Sequence, residues 1–273
     1  MNKQVKVLSF FAFLLIFISD SSLANTVSDK DIYRYLTLSG AEKALANIPA
    51  QIESMGQLMQ VTGKDTEASQ KIMNRIISHW QQDEIEKQVF DYVKQNISTE
   101  QMKPILIWLN TDLARKVKQA EAQASEPNFN QEIMNYLVEL ERNPPSATRV
   151  TAINQFIETT RVVEHSITLV MSVAEGLTKG LVIDANEKGN MESVSKIKKQ
   201  LQDMESMLKP ALEQQMIMVS YFIYRNINDK DFQKYSEFYQ QELGQKEISL
   251  MYKAMGAAIV YWADSMSKEM LLK

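Results

Sequence analysis

Residues 98–117 read STEQMKPILIWLNTDLARKV, and this stretch decides the fold. Ser98, with Gln101 three residues later, forms a capping box, in which each side chain satisfies a backbone N–H of the first helical turn. Behind it, Met102, Ile105, Leu106, Leu109, Leu113 and Val117 recur at three- and four-residue intervals. That spacing lays one apolar stripe along a helix. It predicts a helix running from the cap until shortly before Pro127.

The same grammar extends in both directions. Toward the N-terminus, Ser28-Asp29-Lys30-Asp31 starts a helix that stalls near Gly40. Residues 41–61 form a second stretch, kinked at Pro49. A turn at residues 62–66 then opens a long helix toward Asn96, carrying Ile76, Trp80, Ile85, Val89 and Val93. Toward the C-terminus, a short helix over 128–142 ends at Asn143-Pro144-Pro145-Ser146, the clearest break in the chain. Helical pattern resumes over 146–183 and closes in the turn Asp184–Asn190. Polar residues 191–209 form a solvated helix, Pro210 begins another, and Asn228-Asp229-Lys230-Asp231 caps the last region. No alternating strand pattern with turn glycines occurs. The expected fold is all-α, a multi-helix bundle.

Composition narrows the chemistry. The 273 residues include no cysteine and two histidines, with 30 Lys plus Arg against 34 Asp plus Glu. Disulfide scaffolds, thiolate metal sites and three-His metal sites are therefore excluded. Net acidity gives no electrostatic reason for a nucleic-acid partner. A hydrophobic fraction of 45% belongs to a chain that buries a core.

The first 24 residues read as an export signal. Lys3 and Lys6 precede an apolar run from Val7 to Ile18, and Ser22 and Ala24 suit the positions before a signal-peptidase cut. That run falls well short of the roughly 20 residues needed to span a bilayer. The expectation is a periplasmic or secreted protein with no membrane span after cleavage.

An offset of 130 superposes the two halves. Val89, Asn96, Ile97 and Ser98 fall on Val219, Asn226, Ile227 and Asn228; Trp108-Leu109 falls on Phe238-Tyr239, Ala114 on Gly244 and Lys116 on Lys246. The expected organisation is a signal peptide over 1–24, a first helical repeat over 25–143 and a second over 144–273.

Asp229, Phe232, Phe238-Tyr239 and Leu243-Gly244-Gln245-Lys246 together resemble the signature of the bacterial exported family called domain of unknown function 2059. There a capped helix carries Phe-Tyr, four further residues and Gly-x-Lys. The resemblance is confined to this part of the second half, and Trp108, Ala114 and Lys116 form a degraded first copy. It implies an exported helical protein and no particular chemistry. Read physically, adjacent Phe238 and Tyr239 pack against two neighbours, Gly244 permits close packing or a bend, and Lys246 caps carbonyls or binds a ligand.

Catalytic motifs are missing. Gly63-Lys64 lacks the earlier glycine and the Ser or Thr of a phosphate loop. The Asp184–Gly189 stretch lacks the closing Glu of a calcium loop. His79 and His165 read as packed or surface residues. Methionine is the oddity: 16 in all, with 251/255 and 266/270 among the pairs four residues apart. Met251, Met255, Met266 and Met270 are candidate Cu(I) ligands; flexible core filling is the competing reading. The apolar run over 254–263 predicts a central buried helix, with Gly256 and the alanines admitting close neighbours. The candidate binding residues are therefore Phe238, Tyr239, Gly244, Lys246, Trp108 and Lys116, with no cofactor expected. The expected function is a non-enzymatic helical module, monomeric or weakly dimeric, binding an envelope protein or an apolar small molecule. The alternatives are a carboxylate-based envelope hydrolase, which needs two acids converging on one pocket, and a Met-rich copper binder.

Overall fold

A computed structural model describes residues 26–50, 77–126, 128–187 and 191–271. The stretch expected to be an export signal and the Gly63-Lys64 turn lie outside the described residues, as do Met55 and Met59, a further methionine pair four residues apart. Within them the protein is all-α; the only β pairing there is an isolated antiparallel bridge between Thr26 and Ser98.

Caps set most boundaries. Helix α1 (Asp29–Ser39) starts where the Ser28 hydroxyl accepts from the Asp31 N–H, and ends on Gly40 in the left-handed conformation. Residues 41–50 continue as helix through Pro49. Next comes α2 (Gln82–Asn96), preceded by a break over 79–81 where the sequence predicts one continuous helix. The Trp80 indole N–H donates to the Gln82 side chain at 2.8 Å, beside that break. The capping box is present: Ser98 accepts from the Gln101 N–H, and the Gln101 side chain accepts from the Ser98 N–H at 3.1 Å. Replacing Ser98 by Ala should cost about 1 kcal/mol in urea unfolding; an unchanged midpoint would mean that the box is dispensable.

The stripe behind that box is divided. Helix α3 (Thr99–Leu109) stops, and α4 (Asp112–Glu121) restarts on Thr111, whose hydroxyl accepts from the Ala114 N–H. The single helix expected over this stretch is thus two. Asn-Thr-Asp supplies a new cap inside an uninterrupted apolar pattern, and the cap wins. A 3₁₀ turn (Ala122–Ser125) leads to α5 (Phe129–Arg142).

The expected 146–183 helix is also two, α6 (Ala147–Thr160) and α7 (Val162–Glu187), joined by Arg161 at φ 51°. The opposite correction applies at Pro210. It does not begin a helix but lies inside α8 (Met191–Ile223). Leu201, Met204 and Leu208 before it, and Leu212 and Met216 after it, pack on Val163, Ile167 and Met171 of α7. This shared seam holds the chain helical across the missing backbone donor. It also makes part of the "solvated" 191–209 segment an inward face.

The last pair is α9 (Asp229–Gln240), capped by Asn228, and α10 (Glu242–Leu271). Their starts keep the offset that aligns the two halves: Asn228 stands where Ser98 does, and Gln241 where Thr111 does.

Helix α10 is the axis of the fold, packed along α7 on one side and α2 on the other. Its Ala254 and Ala258 are fully buried, and Trp262 stands edge-on to Trp80 at 5.5 Å. Val260 and Tyr261 face outward, so the 254–263 run is apolar all round without being buried all round. Gly256 is not a close-packing point, since a Cβ there would meet only Leu169 Cδ2 at 3.7 Å. The first core joins Ile32, Tyr35, Val89, Ile105 and Leu109 from the N-terminal half to Leu250, Ile259 and Met266 of α10. No helix among the described residues is long and apolar enough to cross a membrane.

Candidate functional site

The second core is aromatic. Phe156, Tyr224, Phe232, Tyr235, Phe238 and Tyr239 pack with ring centroids mostly 5–6 Å apart and edge-on or tilted. Trp108 lies flat on Phe238 at 4.3 Å with 13° between planes. The aromatic positions 108 and 238, matched by the offset, therefore touch. Such a stack is worth about 0.5–1.5 kcal/mol beyond its buried area. Phe238 and Tyr239 do pack on two different neighbourhoods: Phe238 on Trp108, and Tyr239 on Phe156 and Tyr235.

Gly244 makes that arrangement possible. A Cβ on it would stand 2.2 Å from the Phe238 carbonyl oxygen and 2.7 Å from Tyr239 Cα. The α9–α10 corner is folded so tightly that the first turn of α10 rests on the backbone of the aromatic pair. Gln245 ties the corner further, its amide donating to the Thr159 carbonyl at 2.9 Å and the Tyr239 carbonyl at 2.5 Å.

Against this aromatic wall lies a cavity of about 250 Å³. Helices α4, α6, α8, α9 and α10 contribute to it, and Val162 of α7 and Ser39 of α1 complete the lining. Most of the wall is apolar or aromatic: Phe156, Ile157, Val219, Ile223, Ile248 and Met251 among others. Besides Ser39, Thr160 and Ser220, the polar part of the wall is one charged network. Glu121 accepts hydrogen bonds from the Tyr224 and Tyr235 hydroxyls, both at 2.9 Å, and pairs with Lys118 at 2.9 Å. Tyr35 donates to Glu247 at 3.3 Å, and Glu247 is almost fully buried. Lys118 also lies 6.0 Å from the centre of the Tyr239 ring.

The network sets one cation, Lys118, against two carboxyl groups, Glu121 and Glu247. Burial pushes the Glu247 carboxyl above the usual carboxylate range, opposed by Lys118 and the Tyr35 hydroxyl, with Glu121 adding to the rise. Burial alone would depress Lys118, yet Glu121, Tyr239 and Glu247 hold its ammonium well above its ordinary value. Tyr35, Tyr224, Tyr235 and Tyr239 are all raised, by burial first and by the neighbouring glutamates second. Tyr252, which also lines the cavity, is pushed up to about 12, by burial first and with Lys118 opposing the glutamates.

The residues expected from the sequence fall into three groups. Trp108, Phe238, Tyr239 and Gly244 come together, and Tyr239 reaches the cavity wall. Lys116 lies outside it, paired with Asp231 at 3.5 Å on a partly exposed surface; such a pair contributes at most about 1 kcal/mol. Lys246 faces a different groove, beside Arg161 and Lys253. Among the methionines, Met251 lines the cavity, Met255 packs on the first core and Met266 is wholly buried in it. The Met270 side chain lies outside the described residues. His165 stacks on Tyr252 at 4.3 Å.

Lys118, Glu121 and Glu247 are not among the candidates drawn from the sequence, although a local signal exists. Each charge interrupts an apolar stripe: Lys118 and Glu121 extend the buried face of Ala114 and Val117, and Glu247 sits between Leu243 and Leu250. At the offset of 130, Glu247 occupies the place of Val117, which is fully buried. A carboxylate where its counterpart is valine is a polar group that needs a partner.

Set beside protein-family models, curated proteins and solved structures, the chain matches none.

Proposed function

We propose that the protein is an exported, periplasmic binding module built from two pseudo-repeats, and that the tyrosine-lined cavity takes a small, largely apolar ligand carrying a hydrogen-bonding group. The repeat is supported by equivalent caps at matching positions of the two halves and by the Trp108–Phe238 stack. The basic, apolar run over residues 3–18 supports export.

One observation carries the ligand reading: a charged and tyrosine-rich network borders a cavity whose remaining wall is mostly apolar, with Ser39, Thr160 and Ser220 as its other polar members. Binding sites combine apolar walls with few polar groups in this way. At about 250 Å³ the cavity lies below the roughly 300–1,000 Å³ typical for drug-sized ligands. It suits a single ring or a short chain with one hydroxyl or amide, the polar end exchanging bonds with Lys118, Glu121 or the tyrosine hydroxyls.

Phenol is a suitable probe. It should raise the melting temperature saturably, by mass action on the folded state, and the cavity-filling Val219→Trp variant should abolish the effect. Absence of a shift in the natural protein, or an equal shift in a folded Val219→Trp variant, would overturn the reading. A second reading, a carboxylate-based hydrolase, is favoured by the presence of both Glu121 and Glu247 on one cavity. It requires ester turnover, of p-nitrophenyl acetate for example, that disappears in Glu247→Gln while phenol still binds. The binding reading is preferred because Glu121 is already occupied by Lys118 and two tyrosines, leaving no unengaged acid–base pair.

A further inference from the structure

The start of α10 also borders a second concavity, of about 510 Å³, with a different polarity. Arg161, Lys246 and Lys253 line it, and Glu242 is its only carboxylate, so the groove carries three cationic groups against one acid. The chain as a whole has a net charge of −4. None of the three cations has an ion-pair partner among the described residues, whereas Lys87, Lys94, Lys116 and Lys118 elsewhere are each matched to an acid. Three unmatched cations in one groove repel one another, and a bound anion relieves that repulsion.

The backbone adds to the same field. Arg161 is the only non-glycine residue with positive φ among the described residues, at φ 51°. That conformation is sparsely populated for a side-chain-bearing residue and is retained where the surroundings demand it. Here it turns the chain between α6 and α7, so that α7 begins at Val162, beside the groove. Helix α10 begins on the groove as well, at Glu242. The N-terminus of α10 thus lies on the groove, its partial positive charge beside the three cations. Asn96, Gln245 and Ser249 supply neutral polar groups at the rim. The Gln245 amide donates to the Thr159 and Tyr239 carbonyls, tying the start of α10 to the ends of α6 and α9.

We propose that this groove, formed by Arg161, Lys246 and Lys253, binds a phosphate group, carried by a free small molecule or by a lipid headgroup. The site is separate from the tyrosine-lined cavity, and its assignment does not depend on that cavity being occupied. It gives Lys246 a ligand-binding task in place of carbonyl capping.

Calorimetric titration with inorganic phosphate at low ionic strength, and flotation with phosphatidylglycerol vesicles against phosphatidylcholine vesicles, test the proposal on the whole chain. The expected result is saturable binding to at least one anionic probe, weakened tenfold or more by Lys246→Gln/Lys253→Gln. The double Lys→Arg variant should retain it, and Lys234→Gln, which removes one exposed charge on α9, should leave it unchanged. Melting curves of all variants verify that they are folded. Phosphate binding alone assigns a free ligand; vesicle binding that phosphate displaces assigns a headgroup at the same site. Absence of binding to both probes, or an equal loss in Lys234→Gln, overturns the proposal.

Discussion

Substituting Gly244 by Ala should unfold or severely destabilise the protein, by at least about 3 kcal/mol in chemical denaturation followed by ellipticity at 222 nm. The added Cβ would lie 2.2 Å from the Phe238 carbonyl oxygen and 2.8 Å from its carbonyl carbon. These are backbone atoms, so no side-chain rotation relieves the overlap. The α9–α10 corner must open, and opening it pulls Phe238 from Trp108 and loosens the two hydrogen bonds of Gln245. Gly256→Ala is the internal comparison. Its Cβ has only Leu169 Cδ2 at 3.7 Å as a neighbour, and Ala is favoured over Gly inside a helix by about 1 kcal/mol. That variant should be as stable as the natural protein or more so. Equal losses at the two positions would refute the close-contact account.

Alkali should unfold the protein sharply, in a transition centred between about pH 11 and 12. Tyr35, Tyr224, Tyr235, Tyr239 and Tyr252 all hold their protons more tightly in the folded state than the ordinary value of 10. For a group whose pKa is raised by folding, the stabilisation is complete below the unfolded pKa and disappears as pH rises through the folded one. Above pH 10 the unfolded chain releases protons that the native state keeps. Each such group then removes about 1.4 kcal/mol per pH unit. Five together remove about 7 kcal/mol per unit, against a typical total stability of 5–15 kcal/mol. Tyrosinate absorbance at 295 nm and loss of ellipticity should rise together over a narrow range. A broad tyrosine titration with helix content intact would contradict a sealed phenolic network.

The helices are legible in the sequence because their determinants are local. Ser28, Ser98 and Asn228 act as caps within three residues of their partners, and the stripes behind them repeat every turn. The breaks at Asn110-Thr111 and Arg161 are not legible, because the apolar pattern runs through both and only the cap or the backbone conformation divides it. Pro210 fails in the other direction: a local breaker is overruled by packing against α7 on both sides of it. For the site, Phe238, Tyr239, Gly244 and Trp108 are visible as an aligned motif. Lys118, Glu121 and Glu247 are visible only as charges in the wrong stripe. That they meet around one cavity is a property of helices far apart in the chain, which no window of sequence contains.

The first core has a consequence for the order of events at synthesis. Ile32, Tyr35, Val89 and Leu109 are sealed by Leu250, Ile259 and Met266, which lie near the far end of the chain. Such separation makes closure of the core a late and slow step, since the intervening loop must close before any contact rewards it. A chain emerging from the ribosome therefore carries its N-terminal half with an unfilled hydrophobic face until α10 is complete. Until that last wall arrives, the half-built core exposes apolar surface of the kind that drives association between incomplete chains.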